Sequence, residues 1–169
     1  MNFEQADTGN CNPYYGKGLI GYYTNCQTCV ATYFARRLGY DVRALPNLNN
    51  KNIYQLSYNS MLAYVKPNGN NPEKHYKPKW EKLSNFLDSN IQEGNIYAFG
   101  FRYVGKNVGH IITVEKRSGE IYVYDPQSNT VLKPEEIKKR YGKLERYYIA
   151  NLSDCKINEQ FCDSIMKKR

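Results

Sequence analysis

Asn25-Cys26-Gln27-Thr28-Cys29-Val30-Ala31-Thr32-Tyr33-Phe34-Ala35-Arg36-Arg37-Leu38-Gly39 reads as one helix that carries a thiol at its start. Asn25 is the expected N-cap, because its side-chain carbonyl can accept a bond from a free amide of the first turn. Gly39 is the expected stop, since glycine enters the left-handed region without penalty. Val30, Phe34 and Leu38 recur at i, i+4 and i+8 and predict one buried stripe. Arg36 and Arg37 are expected to reach solvent at the C-terminal end, where cations oppose the helix dipole favourably. Cys26 falls at the first helical position, where unpaired amides and the positive dipole end favour a thiolate.

Other readings of this stretch compete with a nucleophile. A buried, inert cysteine is the commonest fate of the residue type. A thioredoxin-like pair also places Cys-x-x-Cys at a helix start, but it needs a buried strand before it, and residues 10–24 are rich in Gly and Tyr. A zinc site would combine Cys26 and Cys29 with Cys155 and Cys162, yet the second pair is spaced C-x6-C, wider than zinc knuckles use.

At 169 residues the chain suits one domain with a single core, spanning 1–169. Its expected parts are a lead-in over 1–24, the helix over 25–39, a sheet region over 95–152 and a C-terminal helical tail over 153–169. The 17 tyrosines give much of the apolar surface a hydroxyl that must meet water or a partner. Five cysteines are an odd number, and no signal-peptide pattern or long apolar run is visible, which argues against a disulfide framework and a membrane span. The expected setting is therefore cytoplasmic, with reduced thiols. A net charge of +8 suits an acidic protein, nucleic acid or a membrane surface, but the charges are spread and no RNA-binding motif stands out. The reading is a lysine-rich solvated surface without membrane or nucleic-acid binding.

Residues 2–23 hold Asn12-Pro13, Gly16, Gly18 and Gly21 and predict a turn-rich lead-in that places the helix. A short strand over 40–45, a weak helix over 53–64 and a surface loop over 66–78 follow. His75 lies in that loop, where nothing nearby holds it rigid. Trp80, Leu83, Phe86, Leu87 and Ile91 share helical spacing and Gly94 stops the segment. Strands over 95–104, 108–116 and 120–126 form an antiparallel meander, followed by a short helix over 134–141, a strand over 144–152 and a terminal helix over 157–168.

Alternation in the strand from Val108 puts Val108, His110, Ile112 and Val114 on one face, with Gly109 leaving open space beside the histidine. If Ser118-Gly119 is a two-residue turn, Arg117 faces Glu120, Val114 faces Val123, Ile112 faces Asp125 and His110 faces Gln127. A one-residue slip would turn the apolar residues to opposite faces, which fixes the register. A histidine beside a carboxylate or amide is what a cysteine nucleophile requires: the acceptor fixes the ring and the ring takes the thiol proton. Asp125-Pro126-Gln127-Ser128-Asn129 is also a good turn sequence, and on that reading Asp125 is only a turn residue.

The run Asn25-Cys26-Gln27-Thr28-Cys29-Val30-Ala31-Thr32-Tyr33, followed by Arg36, Gly39, Tyr40, Asp41 and Val42, resembles the papain-fold toxin family of glutamine deamidases. Gly109-His110, Val114-Glu115, Gly119 and Tyr124-Asp125-Pro126-Gln127 resemble its second block, and Asn12-Pro13-Tyr14-Tyr15 its upstream motif. The likeness extends over roughly residues 2–152 and reaches phage minor head proteins as well as bacterial polymorphic toxins. It implies an α+β, papain-like fold with the helix packed on a small antiparallel sheet. It implies a cofactor-free cysteine amidohydrolase acting on protein glutamine, with Cys26 as nucleophile, His110 as base and acid, Asp125 as orienter and Gln127 as a second polar contact. Cys29 stays a rival nucleophile, because papain uses the second cysteine of its own Cys-x-x-Cys. Alternatives with the same fold are a protease or isopeptidase, and a non-catalytic module of a phage head. Implied partners are a protein substrate, an immunity protein or phage head proteins, with location in a virion or delivery into a target cell. Two departures stand out: Phe34 replaces an acidic residue of many relatives, and Ile20 or Tyr23 stands where papain has its oxyanion-hole glutamine. The helix-start amides would then supply more of that hole.

Overall fold

The computed structural model describes residues 1–6 and 10–169, so residues 7–9 of the lead-in lie outside the described residues. In chain order the elements are α1 (Phe3–Ala6), α2 (Cys26–Arg37), β1 (Val42–Ala44), α3 (Lys51–Tyr58), β2 (Tyr64–Val65), β3 (His75–Tyr76) and α4 (Leu83–Asn90). Then come β4 (Ile96–Tyr103), β5 (Gly109–Arg117), β6 (Glu120–Asp125), β7 (Thr130–Leu132), α5 (Ile137–Tyr141), β8 (Leu144–Asn151), β9 (Lys156–Ile157), α6 (Glu159–Cys162) and β10 (Met166–Lys168). Six strands make one antiparallel sheet in the order β3-β8-β4-β5-β6-β7. The α+β architecture, with α2 packed on an antiparallel sheet, is the one expected.

Alternation along β4 explains why both faces of this sheet are covered. Ile96 and Ala98 join Val30, Ala31, Phe34 and Ala35 of α2 in one core. Tyr97, Phe99 and Phe101 join Phe86 and Leu87 of α4, Ile112 and Val114 of β5, and Ile137 of α5 in the other. Ser118 and Gly119 both take positive φ (51° and 78°), the two-residue turn whose twist suits a hairpin. The register it sets pairs Arg117 with Glu120 and Val114 with Val123, as the apolar pattern requires.

The helix α2 differs from its sequence reading in how much of it is buried. Every residue from Thr28 to Arg36 is buried, whereas Leu38, expected in the apolar stripe, is 45% exposed. Arg36 does not reach solvent. Its guanidinium donates to the carbonyls of Ala6 (2.7 Å), Gln5 (3.2 Å) and Val42 (3.1 Å) and to Asp41 Oδ1 (2.8 Å), tying together the lead-in, the helix and β1. Arg37 pairs with Glu115 of β5 and with the Tyr33 hydroxyl. Phe34 sits edge-on to Tyr64, 5.7 Å between centroids.

Other expectations are corrected by pairing that spacing alone does not reveal. Residues 157–168 form no terminal helix: β9 pairs with β2, α6 is a single turn capped by Asn158, and β10 pairs with β1. The 66–78 loop contains β3, paired with β8, so His75 stands on a strand with Phe86 against its ring. Trp80 is 84% exposed and precedes α4 rather than packing with it. The described chain has no helix long and apolar enough to cross a membrane.

Candidate active site

Cys26 is the first residue of α2 and half-buried, while Cys11, Cys29, Cys155 and Cys162 are all buried, and no disulfide joins any of the five. Cys29 is fully buried, and burial, with the charges of Cys11, Cys26 and Asp125, pushes its thiol well above its ordinary value. Asn25 does not cap the helix with its side chain. Its amide belongs instead to a buried cluster: Nδ2 donates to Asn12 Oδ1 (3.2 Å) and to the Leu45 carbonyl (3.1 Å), and Oδ1 accepts from Gln127 Nε2 (3.3 Å). Asn12 Nδ2 donates in turn to the carbonyls of Tyr22 (3.0 Å) and Gln127 (2.9 Å). The Asn-Pro-x-Tyr motif thus locks the loop ahead of the thiol to the segment after β6. With the capping bond unmade, the amides of the first turn have no side-chain acceptor from the cap.

His110 is the second residue of β5 and Asp125 the last of β6, and both lie on the face shared with Ile112, Val114 and Val123. Together with Cys26 at the start of α2 they line one cleft. His110 Nε2 donates to Asp125 Oδ2 at 2.8 Å, and Cys26 lines the same cleft and helps raise the proton affinity of the ring. Burial would lower the imidazole's proton affinity, but the bonds and charges of Asp125 and Cys26 more than reverse this and raise its pKa to about 10. Burial alone would push the Asp125 carboxyl up. The bond and charge of His110, the Tyr141 hydroxyl and the Gln127 amide instead hold it below its ordinary value.

The β5–β6 pairing ends at Thr113 with Tyr124, and Gln127, beyond it, bonds other groups than the His110 ring. Its amide nitrogen donates to Asp125 Oδ1 (2.9 Å) and its side chain bonds Asn25, so it supports the carboxylate and the helix start rather than the imidazole. Gly109 has no open space beside it: a Cβ there would stand 2.4 Å from the Phe101 carbonyl oxygen, so only glycine permits this approach of β4 and β5.

Tyr141 was not singled out in the sequence. Its hydroxyl donates to Asp125 Oδ2 at 2.7 Å and its ring lies 5.2 Å from the His110 ring, with Phe101 beside both. Its position at the end of a five-residue helix carries no spacing signal that would have found it. Tyr148 was missed for the same reason: its ring covers Gly100, where a Cβ would come within 2.3 Å, and its hydroxyl meets Ser60 Oγ at 2.9 Å.

Cys26, His110, Asp125 and Gln127 line a cleft of about 1540 Å³ that also reaches Ser60, Tyr148 and Arg140. A thiol on a helix start, an imidazole on one strand and a carboxylate on the next, set on an antiparallel sheet, define a papain-like fold with a thiol-bearing cleft. Residues 24–130 match the family described as papain fold toxin 1, glutamine deamidase, and the chain belongs to that family. The match is narrower than the 2–152 read from the motifs and leaves Asn12 and Tyr141 outside it. Comparison with curated proteins gives no match.

Proposed function

We propose that the chain is a cysteine-dependent protein glutamine deamidase in which Cys26, His110 and Asp125 carry the reaction. The observation that supports this reading most is His110, bonded to Asp125 through Nε2 and lining one cleft with Cys26, which raises the ring's pKa. The Cys26 thiolate attacks the carboxamide carbon of a glutamine side chain, and the first-turn amides of α2 receive the oxyanion. Imidazolium His110 gives its proton to the departing nitrogen, ammonia leaves, and a thioester to Cys26 remains. Water then loses a proton to His110 and attacks the thioester, so the thiolate departs and the glutamine has become glutamate. Asp125 stabilises the imidazolium and holds the ring, while Tyr141 and the Gln127 amide hold Asp125.

Intact-mass spectrometry of candidate proteins after incubation tests this. Deamidation adds about 1 mass unit and leaves the chain uncut, since an amide becomes an acid. Cleaved products would assign the site to a protease or isopeptidase. No change in any substrate, with Cys26 inert to alkylation, would reduce the domain to an interaction module.

A further inference from the structure

We propose that the cleft selects acidic polypeptide, with Lys74 reading an Asp or Glu side chain within a few residues of the target glutamine; this rests on the deamidase reading above. The cleft is lined by Lys74, Lys77, Lys79, Arg102, Arg140 and Arg146, against the carboxylates of Asp125 and Glu145 alone. Asp125 is already committed to His110 and Tyr141. The ion pairs formed among the described residues involve Arg36, Arg37, His110 and Arg117, and none of the six cleft cations. The +8 charge, which looked evenly spread along the sequence, is thus gathered in part around the thiol.

Lys74 is the best placed of the six. Its ammonium lies 4.6 Å from the centroid of the Tyr148 ring, and burial lowers its pKa, a cost that no carboxylate among the described residues offsets. Lys74, Tyr148 and Cys26 line one cleft, so a carboxylate on Lys74 would share that cleft with the reacting carboxamide. The hydroxyl of Tyr148, pushed up to about 12 mainly by burial, stays protonated and adds no competing negative charge. Lys77 is held over Tyr147 by the Pro78 and Glu81 carbonyls, and Arg102 is held by Asn107, so part of the positive field is fixed in place. A cleft lined by a thiol and an imidazole needs an acyl carbon to attack, which a polypeptide carries and a phosphodiester lacks.

Alkylation of Cys26 by iodoacetate and by iodoacetamide, one anionic and one neutral, reads the field without reference to deamidation. At low salt the ratio of the two rates should exceed that of free cysteine about tenfold, and should fall toward it at about 0.5 M NaCl. In Lys74→Gln the ratio should fall about threefold, and the ratio of kcat/KM for glutamine peptides flanked by Glu over those flanked by Lys should fall with it. Polyglutamate should slow the alkylation and polyuridylate should not. A ratio equal to that of free cysteine and indifferent to salt and Lys74→Gln overturns the proposal, as does stronger protection by polyuridylate. If the ratio and polyglutamate protection behave as expected and no peptide is deamidated, the failure belongs to the deamidase reading and the acid-selective cleft stands.

Discussion

Burial separates two cysteines that stand three positions apart in the chain. Cys26 opens on the cleft and Cys29 is closed in the core, so iodoacetamide near neutral pH should label Cys26 first, as peptide mapping would read. Cys26→Ala should remove turnover while leaving the melting temperature nearly unchanged, because a half-buried side chain at a helix start contributes little packing. Labelling of Cys29 first, with an active Cys26→Ala, would reverse the assignment. Asp125→Ala should cost roughly 10²- to 10⁴-fold in kcat, more than Gln127→Ala, because a carboxylate stabilises imidazolium and Gln127 touches Asn25 instead of the ring. The pH profile separates these roles further. His110 keeps its proton to about pH 10 with Asp125 beside it, so the alkaline limb of wild-type activity should lie there and move to lower pH in Asp125→Ala. A limb that stays in place would remove Asp125 from the ring's support.

At the scale of elements, the site depends on where α2, β5 and β6 end relative to one another. Gly109→Ala should displace β5 from β4 and His110 with it, since the added Cβ meets a backbone oxygen that cannot rotate away; loss of both stability and activity is the expected result of unfolding and rate measurements. Arg36→Met should cost about 3 kcal/mol in urea unfolding, because three carbonyls lose a buried donor that a thioether cannot replace. Elements whose partners are near in sequence were legible: α2, the β4-β5-β6 meander and its register follow from periodicity and one turn. The C-terminal strands were not. β9 and β10 are too short to show a period and exist because β2 and β1, far away in the chain, offer edges to pair with. Asn25 shows the same limit, since a residue suited to capping was taken by tertiary partners on Asn12, Leu45 and Gln127.

At the scale of the molecule, the thiol, imidazole and carboxylate were legible because each sits where a local rule puts it: a helix start, an alternating strand face and the strand after a tight turn. Tyr141, Tyr148 and the cationic wall of the cleft were not, because they converge from elements with no shared spacing. The charge pair also ties the site to global stability. The folded His110 pKa lies above its unfolded 6.5, so its contribution is fully present below about pH 6.5 and is lost as pH rises through about 10. The folded Asp125 pKa lies below its unfolded 3.8, so its contribution is present above that value and lost as pH falls through the lower folded one. Urea unfolding should therefore show Asp125→Asn most destabilised relative to wild type between these edges and least beyond them; a difference independent of pH would contradict the pair. The most direct test of the central claim is acid quenching during turnover of a glutamine substrate, followed by peptide mapping of the enzyme. A substrate thioester, formed with loss of ammonia, is expected on the peptide bearing Cys26 and on that sulfur. A thioester on Cys29, or turnover that continues in Cys26→Ala, would contradict it.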